Sequence, residues 1–307
     1  MTVLAIDVGG TKLATAVVDH AGRLISEHRT PTPPEGDAEA IWSALVAGVG
    51  RALDDAGRPA IDAIGVGCGG PMNWPEGRVS PLTMTGWRDF SLRDRLHERY
   101  GVDVRLHNDA ICVAIAEHWR GAGQGRQNML GMVVSTGVGG GLILGDILHD
   151  GATGNGGHVG HVVVEPDGPA CRCGGHGCLE AVARGPAVAA WAVRHGWDDG
   201  EHTAAAVTIS ARAGNEIALA ALTRAGRAVG LALASTVALL DLELVCIGGG
   251  LAQAGDLLFG PLGEAYAEYA GVHYARSPRV VPAALGQQAG LIGAAALVLQ
   301  GERYWHA

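Results

Sequence analysis

Apolar residues in this chain come in short runs separated by glycine turns. Val3 to Val8 is an apolar run, followed by Gly9-Gly10-Thr11-Lys12 and a second run from Leu13 to Val18. Met129 to Ser135 repeats the device, followed by Thr-Gly-Val-Gly-Gly-Gly and Leu142 to Leu144. Each reads as strand, glycine turn, strand. Between and beyond them the pattern switches to helical spacing. Helices are predicted over Asp37 to Ala56, Ser91 to Tyr100 with Ser91 as N-cap, and Asp109 to Arg120. Longer ones follow over Glu216 to Leu240 and Gln288 to Gln300. Further strands are predicted over Ile61 to Cys68, Val102 to Leu106 and Leu242 to Ile247. Strands alternating with helices define an α/β class.

The doubled strand–glycine–strand pattern predicts two similar α/β lobes around a shared cleft. The first is expected over residues 1–121, with the closing segment 288–307 packing back on it. The second is expected over 122–287. The crossover falls near Gly121 to Asn128, which holds few apolar residues.

Charge narrows the classes of partner. The net charge is −9 and no run of lysine or arginine occurs, so neither nucleic acid nor an anionic membrane is an expected partner. A polyanion such as ATP must then be met by backbone N–H groups, helix N-termini and metal ions. The N-terminus MTVLAIDVGGTK lacks the basic segment and cleavage site of a signal peptide, and a cytoplasmic protein is expected. Val229 to Ile247 is interrupted by Asp241 and Glu243 and reads as a buried helix followed by a buried strand.

Three of the six cysteines, Cys171, Cys173 and Cys178, fall within eight residues. Soft ligands this close suit one tetrahedral zinc ion rather than disulfides. His161 supplies a fourth ligand, with His158 and His176 as rivals. A closed set of four leaves no open position, so the zinc is structural. Its expected task is to hold the segment 158–180, including Glu180. Cys68, Cys112 and Cys246 lie in apolar runs and read as core residues.

Asp7 ends the first strand before Gly9, Gly10, Thr11 and Lys12. Such a turn brings backbone N–H groups close to phosphate oxygens. Asp7 then suits Mg²⁺, and Thr11 or Lys12 a phosphate; an ordinary hairpin is the alternative. Thr136, Gly137, Gly139 and Gly140 form a second glycine loop, and Gly248, Gly249 and Gly250 a third after a buried strand. Asn108-Asp109 sits between strand and helix. Asp109 reads either as a helix cap or as a general base taking a proton from a substrate hydroxyl.

The segments AIDVGGTK, HNDA, STGVGGG, GHVGH, CRCGGHGCLE and CIGGG, in this order across nearly the whole chain, resemble those of the ROK family (repressors, uncharacterised reading frames and sugar kinases). The resemblance implies the two-lobed actin-like, ribonuclease-H-like ATPase fold. It implies transfer of the ATP γ-phosphoryl group to a sugar hydroxyl, usually O6 of a hexose, and an assembly of two or four copies. Asp109 matches the catalytic base and Asn108 a sugar-binding residue. His161 matches a residue that both touches sugar and binds zinc. Glu180 matches a sugar-binding carboxylate, and Gly70 lies in a loop that lines the sugar site. Glucose kinases of the family usually carry Glu at the place of His158, Asn at the place of Thr83 and Asn at the place of Ile111. Exchanging a carboxylate for an imidazole changes which hydroxyl or amine pattern is accepted. Glucose, N-acetylmannosamine, kanosamine or another hexose remain open. Regulators of the family carry a DNA-binding segment ahead of the first glycine loop, and Asp7 stands too near the start for one. A sugar-binding protein without kinase activity is the other alternative.

Overall fold

A computed structural model describes residues 1–33 and 37–306. In chain order the strands and helices of the first stretch are β1 (Val3–Val8), β2 (Lys12–Val18), β3 (Leu24–Pro31), α1 (Ala38–Asp55) and β4 (Ala63–Cys68). The short pair β5 (Met72–Asn73) and β6 (Arg78–Val79) follows, then α2 (Leu92–Tyr100), β7 (Asp103–Asn108) and α3 (Asp109–Arg120). Next come β8 (Met129–Val134), β9 (Val138–Leu144) and β10 (Ile147–His149). The remainder is α4 (Leu179–Ala183), α5 (Gly185–Arg194), α6 (Ala204–Arg212), α7 (Glu216–Leu240), β11 (Leu244–Gly248), α8 (Asp256–Tyr269), β12 (Arg279–Pro282) and α9 (Ala289–Leu299). The chain divides into two compact units. One comprises Met1–Gly125, Gly141–Gly156 and Leu285–Ala307, the other Arg126–Gly140 and Gly157–Ala284. Ala307, the last residue of the predicted closing segment, lies outside the described residues.

In the first unit the sheet order is β3-β2-β1-β4-β7. β1 is antiparallel to β2 and parallel to β4, and β4 is parallel to β7. A strand buried on both faces reads as a continuous apolar run, which is how β1 reads. Its alternate residues face different layers. Leu4, Ile6 and Val8 join α1 residues Ile41, Leu45 and Val49 and the buried Trp87. Val3 and Ala5 face α9 through Leu291, Ala294 and Ala295. By this parity Asp7 belongs to the α9 side. Glycines let α9 come that close. A Cβ at Gly65 would lie 1.8 Å from the Ala294 carbonyl oxygen, and one at Gly290 2.5 Å from Asp7 Oδ2.

In the second unit β11 is parallel to both β8 and β12. β9 starts in this unit and runs into the first, where β10 pairs with it antiparallel. α7 starts at the N-cap Asn215, whose side chain accepts from Ala218 N at 3.0 Å. It packs on α8 through glycines: a Cβ at Gly226 would lie 2.6 Å from the Leu258 carbonyl oxygen. α7 is the one described helix long and apolar enough to cross a membrane, and most of its apolar window is buried inside the protein.

Two local expectations change. Ser91 stands at the N-cap position of α2, but its side chain makes no capping hydrogen bond. Gly139, Gly140 and Gly141, read as part of a loop, lie within β9. Their missing side chains serve close packing: a Cβ at Gly140 would lie 2.9 Å from the Gly131 carbonyl oxygen. Cys68, Cys112 and Cys246 are buried core residues, as expected.

Candidate active site

The first unit gathers two carboxylates. Asp7 comes from the end of β1 and Asp109 from the first turn of α3. Asn108 caps α3: its Oδ1 accepts from Ala110 N at 3.0 Å, and Asp109 Oδ1 accepts from the same N–H at 2.8 Å. The helix start is thus satisfied by two side chains, and the second Asp109 oxygen is left for other work. The cap and base readings of Asp109 are compatible.

Burial pushes the Asp7 carboxyl up to about 7, and the Asp109 charge adds to the rise; Lys12 and Arg29 pull against it. Burial also raises Asp109, against the pull of the backbone N–H groups at its helix start. Two part-buried carboxylates held close cannot both ionise cheaply.

Other first-unit residues lie near Asp109, Asn108 or the β1–β2 turn. A Cβ at Gly69 would lie 3.7 Å from Asp109 Oδ2, and one at Gly70 3.3 Å from Asn108 Nδ2. Gly70 precedes a cis peptide to Pro71, and its carbonyl accepts from Leu82 N at 3.1 Å. Thr83 covers Gly10, where a Cβ would lie 2.2 Å from Thr83 Oγ1. Gly9 N donates to the Lys12 carbonyl at 3.0 Å, closing the turn between β1 and β2. Thr11 is exposed at that turn, and its carbonyl accepts from Thr32 N at 3.1 Å.

In the second unit the glycine stretches converge on the end of β8. Ser135 N donates to the Gly137 carbonyl at 2.8 Å, just beyond Thr136. Gly248 ends β11, and Gly249 takes φ +97°, where a Cβ would lie 2.3 Å from the Val134 carbonyl oxygen. Gly250 approaches the Ser135 hydroxyl. Only glycine tolerates that combination of positive φ and backbone approach.

The cysteine segment is anchored to the same place at both ends. A Cβ at Gly160 would lie 2.0 Å from the Val138 carbonyl oxygen, while Glu180 Oε2 accepts from Val138 N at 3.0 Å. Glu180 lies in the first turn of α4, directly after Cys178 and Leu179.

The ligand atoms of His161, Cys171, Cys173 and Cys178 all lie within 4.8 Å of one another. Cys171 Sγ is 3.9 Å from His161 Nδ1, and Cys173 Sγ is 3.7 Å from Cys178 Sγ. A tetrahedron with zinc–sulfur bonds near 2.3 Å has sulfur–sulfur edges of ~3.8 Å. The donor set therefore fits zinc in chemistry and spacing. A backbone N–H at Gly175 lowers the Cys173 thiol, while burial and the neighbouring thiols push Cys178 up to about 12. Of the rivals to His161, His158 stacks on the His161 ring at 6.1 Å and His176 bridges to Ala170; neither joins the four-atom cluster.

Sequence reasoning did not single out His107 and Asp150. His107 is fully buried at the end of β7, its Nδ1 accepts from Asn108 N at 2.9 Å, and its Nε2 lies 3.7 Å from Asp150 Oδ2. A polar residue between the buried Leu106 and Asn108 was the available signal.

A mixed-sheet unit with an aspartate near the end of its first strand, in a chain whose second unit carries glycine turns at its strand ends, matches the actin-like ATPase fold of sugar kinases. The chain belongs to the ROK family, whose model matches residues 3–301. It is 35% identical over 315 residues to a glucokinase of Halalkalibacterium halodurans, covering 97% of this chain and 95% of that one. It is 35% identical over 311 residues to an N-acetylmannosamine kinase of Shigella flexneri, covering 99% of this chain and all of the other. A ROK glucokinase from Streptomyces griseus, solved with glucose and AMPPNP, superimposes with a TM-score of 0.85 at 33% identity over 98% of this chain and all of that one.

Proposed function

We propose that this protein is an ATP-dependent sugar kinase that transfers the γ-phosphoryl group to a hydroxyl, O6 by family resemblance, of a hexose or aminohexose. The observation that carries the mechanism is the part-buried Asp109 at the start of α3, raised in basicity and held by its own helix. A carboxylate raised by burial is a stronger base for a sugar hydroxyl than an exposed one.

Asp109 accepts the hydroxyl proton as the oxygen attacks the γ-phosphorus. By family resemblance Asn108, fixed as the α3 cap, is assigned to the sugar, as are Gly70, Thr83, His158, His161 and Glu180. By family resemblance the glycine turns at Gly9, Gly10, Gly137, Gly139, Gly140 and Gly248 to Gly250, with Thr11, Lys12 and Thr136, are assigned to the nucleotide phosphates; the Gly9 N–H itself closes its turn onto the Lys12 carbonyl, and Gly139 and Gly140 lie in β9. Phosphoryl transfer asks the protein mainly to position groups and offset charge. Asp7, the second part-buried carboxylate, fits Mg²⁺, which would supply charge neutralisation on the phosphates when bound. His161, Cys171, Cys173 and Cys178 fit a structural Zn²⁺ that keeps Glu180 and His161 in place. A dimer or tetramer is expected from the family.

The sugar is set by Thr83 and His158, which depart from the glucose-kinase pattern. Mg-ATP-dependent ADP release should be measured with glucose, mannose, N-acetylmannosamine, N-acetylglucosamine, glucosamine, kanosamine, fructose and allose. A strong response to one sugar supports the reading and identifies what these two residues select. Sugar binding without ADP release for every bound sugar would instead favour a sensor.

A further inference from the structure

We propose that His107 is a positioning residue for phosphoryl transfer: clamped by Asp150, it fixes the backbone that carries Asn108 and Asp109. The proposal rests on the kinase reading above.

His107 Nδ1 accepts the Asn108 N–H at 2.9 Å. That fixes the tautomer, since an accepting Nδ1 places the imidazole proton on Nε2. The Nε2 edge faces Asp150 Oδ2 at 3.7 Å, so the carboxylate favours the same tautomer through its charge. Trp74 packs on the imidazole at 5.4 Å between ring centroids, and Trp305 stands edge-on at 6.4 Å. Trp74 also packs at 5.4 Å against Trp305. The ring therefore has aromatic neighbours, a carboxylate at one nitrogen and a backbone N–H at the other.

A packing role alone does not explain this arrangement. His107 is fully buried, and its Nε2 and Asp150 Oδ2 face each other at 3.7 Å, beyond hydrogen-bond reach, with no other partner. Such groups cost stability and would be better replaced by a hydrocarbon of the same shape. Burial does hold His107 below the ordinary imidazole range, which keeps Nδ1 available as an acceptor. Asp150 is pushed up by burial but pulled down further by His107 and its own backbone, so it stays ionised. What the clamp controls is the peptide immediately before the N-cap. Asn108 is the last residue of β7, and the next residue is Asp109. A rotation at this peptide moves the sugar-orienting amide and the base together. Displacements of about 1 Å at a reacting group cost up to ~100-fold in rate.

The test uses the full-length protein and the best sugar from the panel. His107→Leu fills the space without an acceptor; His107→Asn restores an acceptor near the Nδ1 position. Steady-state kcat and KM for sugar and ATP are measured for both variants, with the melting temperature as a check on folding. The expected result for His107→Leu is a kcat loss on the order of 10-fold or more with KM for ATP unchanged. His107→Asn should recover most of that loss even if it is the less stable of the two. Asp150→Ala should lower kcat in the wild-type background and add little to His107→Asn. Folded variants with equal kcat, or equal losses in His107→Leu and His107→Asn, would overturn the proposal. Wild-type protein without sugar-dependent turnover would instead remove the kinase reading, and this proposal with it.

Discussion

Asp7→Asn should make the protein more stable in alkaline than in acidic buffer, relative to wild type. The Asp7 carboxyl is carried from an ordinary 3.8 to about 7, mainly by burial. Between those values the folded protein holds the proton while the unfolded chain has released it. Stability then falls as pH rises, and the contribution is lost by the time pH passes 7. The gap corresponds to roughly 4 kcal/mol at full ionisation. At roughly 2 °C per kcal/mol for a chain of this size, the melting temperatures of Asp7→Asn and wild type should diverge by ~8 °C between pH 4 and pH 8. Asp109 is raised in the same direction by burial and is left in place by the substitution. The assay is differential scanning fluorimetry of both proteins, without nucleotide or divalent cation, from pH 4 to 8. Adding Mg²⁺ and ATP should raise the wild type more than the variant at pH 8. Parallel curves, with a constant offset at every pH, would show that Asp7 does not carry this buried charge.

Three other outcomes are expected. Cys173→Ser should lose zinc, read by elemental analysis of the purified protein, and raise KM for sugar on the order of 10-fold; full activity without zinc would remove the metal site. Gly177→Ala should destabilise by at least ~2 kcal/mol, because φ is +65° and the new Cβ would lie 1.5 Å from the Glu165 carbonyl oxygen. Its effect should appear as a lowered melting temperature and reduced zinc content together. Glu180→Gln should keep the overall fold but weaken sugar binding, because the charge that Val138 N now meets at 3.0 Å is gone; unchanged sugar KM would take Glu180 out of the site.

The local chemistry was legible where one residue type had one physical meaning. The apolar run through Asp7 gave β1 at Val3–Val8, and the cap-plus-apolar pattern at Asn108-Asp109 gave α3 at Asp109–Arg120. Three closely spaced thiols gave a cluster with zinc-like spacing. Glycine was less readable because it serves two ends. Gly140 and Gly141 sit inside β9, and Gly290 admits Asp7 to the start of α9; neither function shows in a linear pattern. Long-range pairs were invisible for the same reason. His107 and Asp150 are 43 positions apart by number (150 − 107), and nothing in either segment announces the other. The fold also assigns Gly141–Gly156 to the first unit, because that segment's contacts outweigh its place in the chain.

The most direct measurement is sugar-dependent ADP release by Asp109→Asn beside wild type, with the sugar that wild type turns over best. Asn keeps the size and an oxygen that can accept from Ala110 N, but it cannot take the hydroxyl proton. The expected result is a folded protein with unchanged zinc content and sugar affinity, and turnover lowered by at least ~100-fold. Turnover within a few-fold of wild type would contradict Asp109 as the base, and with it the reading of the two carboxylates as the catalytic centre.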